Sequence, residues 1–230
     1  MKFLLFAALF GLVFSKEILL AGKQELQAIQ NAVDEVDNEN SFRFLDGPDQ
    51  VCFEKEQLGC FSKHGPLAHI GYLPSSPSEI QTKFYVFTPE NPHSAIAIID
   101  YLSHSSSNGL NHFKENSKVA FVIHGFNNKP DNKELNSLKD SLLTKVPVVV
   151  IVDWHKGAAG PLYLTASTNT QLVGRQIAVF TQKLITSRHI KAKDVHLLGF
   201  SLGAQVSGFA GRWSIEKFSW KFGRISGEII

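Results

Sequence analysis

A chain of 230 residues, 43% of them hydrophobic, is large enough to bury one sizeable core and predicts one main domain. Its formal net charge is +2, with Lys and Arg spread along the sequence. That distribution argues against a nucleic-acid partner and predicts a mixed, solvated surface.

In chain order, residues 1–15 (MKFLLFAALFGLVFS) hold one Lys, an apolar run and a closing small residue. The run is too short to span a bilayer, and Val13 and Ser15 occupy the −3 and −1 positions of a cleavage site before Lys16. The segment is expected to be a cleaved secretory signal, with a buried or anchoring helix as the alternative. No later segment is apolar enough to cross a membrane. Residues 16–46 are rich in Glu, Gln, Asn and Asp, and Leu26, Ile29, Val33 and Val36 recur at helical spacing. They read as an N-terminal extension or propeptide with a short amphipathic helix, ending at the turn sequence Asp46-Gly47-Pro48-Asp49.

The domain proper is expected over 47–230. Its two cysteines, Cys52 and Cys60, are close in sequence, and in an exported chain they predict a disulfide closing a small loop. Loop closure of that length is worth roughly 2–3 kcal/mol. From residue 82 apolar runs alternate with amphipathic ones. Lys83–Thr88, Lys118–His124, Pro147–Asp153 and Asp194–Phe200 have the Val, Ile and Phe content of buried strands. Asn132–Leu143 and Asn169–Ile185 carry apolar residues on one helical face. This alternation predicts an α/β fold with a mainly parallel sheet.

The last of these strands runs into Gly199-Phe200-Ser201-Leu202-Gly203, a G-x-S-x-G sequence. Such a sequence puts a nucleophilic serine on a sharp strand-to-helix turn, but by itself it is common. Two features of the surroundings strengthen it. The following residues Gly203, Ala204, Ser207, Gly208, Ala210 and Gly211 are small, as a helix packed closely on its own strand requires. The strand Val119–Ile123 ends in His124-Gly125-Phe126, where a turn could offer a backbone N–H to a developing oxyanion alongside that of Leu202. Phe126 and Leu202 would also bring apolar side chains to the mouth of the site. His124 is read as a structural histidine.

These stretches together resemble the pancreatic lipase family, which includes secreted phospholipases A1 and yolk-type relatives. The resemblance starts at Val51-Cys52-Phe53-Glu54 and Leu58-Gly59-Cys60-Phe61-Ser62. It runs through Phe121–Phe126, Val150–Trp154, Lys156-Gly157-Ala158, Asn169–Gly174 and the serine turn to Gly223–Gly227. It implies an α/β-hydrolase fold, Ser201 as nucleophile, and the amides of Phe126 and Leu202 as the oxyanion hole. Asp153 and Trp154 match a motif that is structural in the family. Phe200 stands where the family often has His.

In this fold the triad acid and histidine follow the serine in the chain. After Ser201 the sequence contains no Asp and no His, only Glu216 and Glu228 as acids, and the last histidine is His196. In the family the strand matching Gly223–Gly227 leads into Leu-Asp-Pro, which puts the Asp position on Ile229. Glu228 is one residue early and on a strand faces the other side. His155 is the least implausible substitute base. The family's lid and calcium site would also lie past residue 230, so no metal and no cofactor is expected within the chain.

The sequence therefore predicts a secreted carboxylic ester hydrolase acting on lipid esters or at a lipid interface, truncated after the strand that follows the nucleophile helix. A non-catalytic lipid-binding or yolk-type homologue is the alternative, and a fragment that does not fold stably is a third reading, since the last strand would present an open edge.

Overall fold

The computed structural model describes residue 27 and residues 47–103, 106–160 and 163–228. The expected signal and all of the N-terminal extension except Gln27 lie outside the described residues.

Two short strands, β1 (Gln50–Phe53) and β2 (Gly59–Ser62), pair antiparallel, with Cys52 opposite Cys60 and the two joined as a disulfide. The main sheet has six strands. They are β3 (Lys83–Phe87), β4 (Ala97–Asp100), β5 (Val119–Ile123), β6 (Val148–Asp153), β7 (Val195–Phe200) and β8 (Arg224–Glu228), in the order β4-β3-β6-β5-β7-β8. β6, β5, β7 and β8 are mutually parallel, whereas β3 runs antiparallel to both β4 and β6. The expected mainly parallel α/β sheet is thus present, with an antiparallel pair at one edge.

The sheet is covered on both faces because β5, and β6 up to its last residue Asp153, are apolar and both strands are buried at every position. Alternate residues serve opposite layers. Ala120, Val122, Val149 and Ile151 pack under Leu135 and Leu143 of α2 (Lys133–Leu143), which follows the one-turn helix α1 (Pro77–Ile80). Phe121, Ile123, Val150 and Val152 pack on the other side, within the core that holds Leu172, Ile177 and Phe180 of α4 (Tyr163–Arg188) and Val206 and Ala210 of α5 (Leu202–Phe218). There Phe84 stacks on Phe180 with ring centroids 4.1 Å apart. A one-turn helix, α3 (His155–Ala158), links β6 toward α4.

Local chemistry sets the element ends. The side chain of Asn132 caps α2 by accepting from the amides of Glu134 and Leu135, at 2.8 and 3.1 Å. α4 is longer than the apolar periodicity predicts. Its first turns, Tyr163 to Thr168, are carried by tertiary packing, with Ala166 and Thr168 buried. β8 covers Arg224–Glu228 of the expected Gly223–Ile230 strand, and residues 229 and 230 lie outside the described residues.

The disulfide hairpin is clamped to the domain by one side chain. Arg175 of α4 donates to the carbonyls of Leu58 and Cys60 at 2.6 and 2.8 Å, and its guanidinium lies 4.0 Å from the ring centres of both Phe61 and Trp213. Charge-assisted bonds to buried carbonyls and two aromatic faces make this more than a surface contact. Arg175→Ala is expected to destabilise the protein by about 2–4 kcal/mol in denaturant unfolding. An unfolding midpoint equal to wild type would contradict the clamp.

Candidate active site

Ser201 sits between β7 and α5 with φ 52° and ψ −120°, a conformation that costs a non-glycine residue about 1–3 kcal/mol. Two glycines make the turn sterically open. A Cβ at Gly199 would lie 2.1 Å from the carbonyl oxygen of Gly203, and one at Gly203 would lie 2.2 Å from the carbonyl oxygen of Ile123. Only glycine permits these approaches, so α5 can begin directly over the ends of β5 and β7. On its other side the Ser201 amide donates to the carbonyl of Glu228 at 2.8 Å, which ties the turn to β8.

The β5 turn is brought against the serine as expected. A Cβ at Gly125 would stand 2.9 Å from Ser201 Cβ and 3.2 Å from its Oγ, so the bare backbone of Gly125 lies beside the hydroxyl. Phe126 follows directly, half-buried, its ring edge-on to Tyr163 at 5.1 Å. Leu202 is the first residue of α5, where an N–H has no carbonyl partner within the helix. Its side chain is 4% exposed and belongs to the core, which corrects the expectation that it lines the mouth.

The histidines near the sheet are committed elsewhere. His124 is fully buried and stacked on Trp154. Its Nδ1–H donates to the Gly125 carbonyl at 3.0 Å, and its Nε2 accepts the Trp154 amide at 3.2 Å. Trp154 Nε1–H in turn donates to the His124 carbonyl at 3.0 Å. A ring that donates at one nitrogen and accepts at the other is neutral in a single tautomer. It braces the ends of β5 and β6, as a structural histidine should. His196 lies in the first half of β7, its Nε2 2.9 Å from Ser226 Oγ, about 16 Å of strand from Ser201.

His155 is not brought to Ser201. Asp153 Oδ1 accepts its Nδ1–H at 2.8 Å and its amide at 3.0 Å. The pair lines an open cleft of about 750 Å³ with Tyr85, His93, Lys129 and Asp131, of which Ser201 is not a wall. β5 intervenes between β6 and β7, which separates the two strand ends by about 9–10 Å. His155, the least implausible substitute base in the sequence, is thus engaged by Asp153 in a different cleft.

Glu228 behaves as the register dictates. Gly227 faces α5, where a Cβ would lie 2.8 Å from Ala204 Cβ, so the Glu228 side chain faces the opposite layer. Glu228 contributes its carbonyl to the turn. The only described group of three metal-ligating side chains is Cys52, Glu54 and Cys60, and its thiols are consumed by the disulfide.

Comparison with known proteins agrees with this geometry. The lipase family model matches residues 49–228. The chain belongs to the lipase family. Human pancreatic triacylglycerol lipase is 36% identical over 185 residues, covering 77% of this chain and 37% of that protein. Guinea-pig (Cavia porcellus) pancreatic lipase-related protein 2 is 36% identical over 186 residues, covering 77% and 40%. Human inactive pancreatic lipase-related protein 1 is also 36% identical, over 168 residues, covering 70% and 35%. The chain thus spans well under half the length of these curated relatives.

Burial acts to raise the Asp153 carboxyl, but its histidine neighbours, His124 first and then the amide and ring of His155, outweigh that and hold it at about 2. A folded-state value below the ordinary 3.8 means stability that is present above about pH 4 and lost as pH falls through 2. Asp153→Asn is expected to cost about 2 kcal/mol at pH 7 and to flatten the loss of stability between pH 4 and 2. Denaturation curves across that range check it, and a variant with unaltered acid sensitivity would contradict the assignment.

Proposed function

We propose that this lipase-family chain carries the nucleophile half of an exported lipid ester hydrolase. In this reading Ser201 Oγ attacks the ester carbonyl and forms an acyl-enzyme, while the amides of Phe126 and Leu202 receive the oxyanion. The observation that carries the reading is the strained Ser201 turn with the Gly125 backbone beside its hydroxyl. Carboxylic esters of neutral lipids or phospholipids are the substrate class, a lipid interface is the partner, and export follows the signal-like residues 1–15.

Completing the chemistry needs the family's Asp and His, and residues 202–230 contain neither. Without a base the hydroxyl is a weak nucleophile near neutral pH, and losing a triad member costs on the order of 10⁴–10⁶ in turnover. The 230-residue chain is therefore expected to have negligible lipase turnover, and a form carrying the family's downstream Asp and His to be active. The second reading is a non-catalytic lipid-binding homologue. A relative named as inactive is as similar to this chain as those named as lipases.

The experiment is secretion from an animal cell line, followed by intact mass and a long-chain lipid assay beside Ser201→Ala. The expected results are a chain beginning at Lys16 and background hydrolysis by both proteins. Residual turnover of an activated short-chain ester is expected to be small and to depend on the oxyanion amides. Retention of Met1 would refute export by this signal, and robust Ser201-dependent lipid hydrolysis would refute the dependence on a downstream acid and base.

A further inference from the structure

On one face of the main sheet α2 covers β5 and β6, where Ala120, Val122, Val149 and Ile151 pack under Leu135 and Leu143. β3 and β4 lie beyond that helix. Tyr85 stands opposite both Ile151 and Ile98 in the register, so the three share this face, yet Ile98 is 56% exposed. The bare strip is the cleft that also holds Asp153 and His155. Lys83 pairs with Asp153 and Phe87 with Val149, so the strip runs four residue steps along β3, about 13 Å. Tyr85, Ala95 and Ile98 give it an apolar floor. β5 and β6 are parallel and end at the same edge, so the segment from β5 into α2 brings Asp131 and Asn136 to the Asp153 end.

At that end the side-chain donors are already committed. Asn136 donates its amide hydrogens to the carbonyls of Asn132 and Pro130, at 2.8 and 3.3 Å, which leaves its Oδ1 to accept. His155 gives its Nδ1–H to Asp153 Oδ1, so the neutral ring offers Nε2 as an acceptor. The His155 amide goes to the same oxygen, which leaves Oδ2 of the 3% exposed Asp153 for another donor. Asp131 adds an exposed carboxylate. Burial raises the Tyr85 phenol above its ordinary value and the charges of Asp153 and Asp131 raise it further, so both carboxylates act on its hydroxyl. The lysine among the described lining residues is Lys129, which is exposed, and Lys83 is not a wall of the cleft.

We propose that this cleft binds a primary alkylammonium, with its N–H donors at Asp131, Asp153 and His155 and its alkyl chain along Tyr85 and Ile98. A protonated amine brings three donors to a set of acceptors, and such charge-assisted bonds are about twice as strong as neutral ones. The Tyr85 ring offers a cation–π surface beside them. A carboxylate or phosphate fits less well, because it would meet two carboxylates and the lone pairs of Asn136 and His155. A quaternary ammonium carries the charge without the N–H donors. A divalent cation is poorly served, since among the described residues no three ligand atoms of this cleft converge within 4.8 Å. The length of the strip suits a free alkylamine better than the shorter stem of a lysine side chain. The inference does not depend on Ser201 being catalytic.

The probe is hexylammonium chloride, titrated into the full chain while the imidazole resonances of His155 and His93 are followed by NMR. Hexyltrimethylammonium, hexanoate and Nα-acetyl-lysine amide are the comparison ligands. The expected result is a saturable shift at His155 with hexylammonium, and binding weaker by about tenfold or more for the trimethyl analogue and hexanoate. The lysine amide is expected to bind about threefold or more weakly, because it covers less of the apolar floor. Asp131→Asn, at an exposed position, is expected to weaken hexylammonium by about fivefold, and the exposed control Glu115→Gln by less than about twofold. Should Asp131→Asn not fold, the ligand series on the wild-type chain carries the test. Equal binding of the trimethyl analogue, tighter binding of hexanoate or of the lysine amide, an unmoved His155 resonance, or wild-type affinity in Asp131→Asn would overturn the proposal.

Discussion

The structure depends on the close approach of α5 to the ends of β5 and β7. At Gly199 and Gly203 the backbone of one element occupies the place where a side chain of the other would be. A single methyl at Gly203 would meet carbonyl oxygens of both Ile123 and His124, at 2.2 and 2.8 Å. The approach fixes Ser201 at positive φ, starts α5 against the sheet, and sets Gly125 beside the hydroxyl. The strain at Ser201 is sustained because apolar packing on both sheet faces over-determines the backbone there.

A second constraint acts one strand over. Two hydrogen bonds between His124 and Trp154 lock the ends of β5 and β6 together, and two local ones, from His124 to Gly125 and from His155 to Asp153, fix the two histidine rings. This network engages both ring nitrogens of His124 and places His155 in a different cleft. The described polar groups of this network therefore hold the geometry of the strand ends. The glycine packing and the histidine network together hold Ser201 in a strained turn at the ends of β5, β6 and β7.

Much of this was legible in the sequence because the informative residues are local. The apolar runs of β5 and β6, buried on both faces, and of β7, buried on one, read as strands without tertiary knowledge, and the small residues after Ser201 announce a helix pressed on its strand. β4 was missed because it is a four-residue edge strand with Ile98 largely exposed, so it carries neither length nor alternation. The antiparallel direction of β3 was illegible too, since strand composition does not encode direction. His124 was read correctly as structural, but its tautomer is set by Trp154, thirty residues away. The mouth role expected of the Leu202 side chain failed because the first turn of α5 points it into the core. The cleft beside α2 was hidden because Tyr85 and Asp153 lie far apart in sequence, and only the pairing of β3 with β6 brings them to one face.

The most direct test is the stability of Gly203→Ala, a change that adds one methyl, removes no polar group and on an ordinary helix would be stabilising. The account predicts a loss of more than about 3 kcal/mol, or failure to fold, because the methyl meets backbone that cannot yield without displacing β5 from α5. Unfolding at wild-type denaturant concentration would show that the strand–helix approach does not set the position of Ser201.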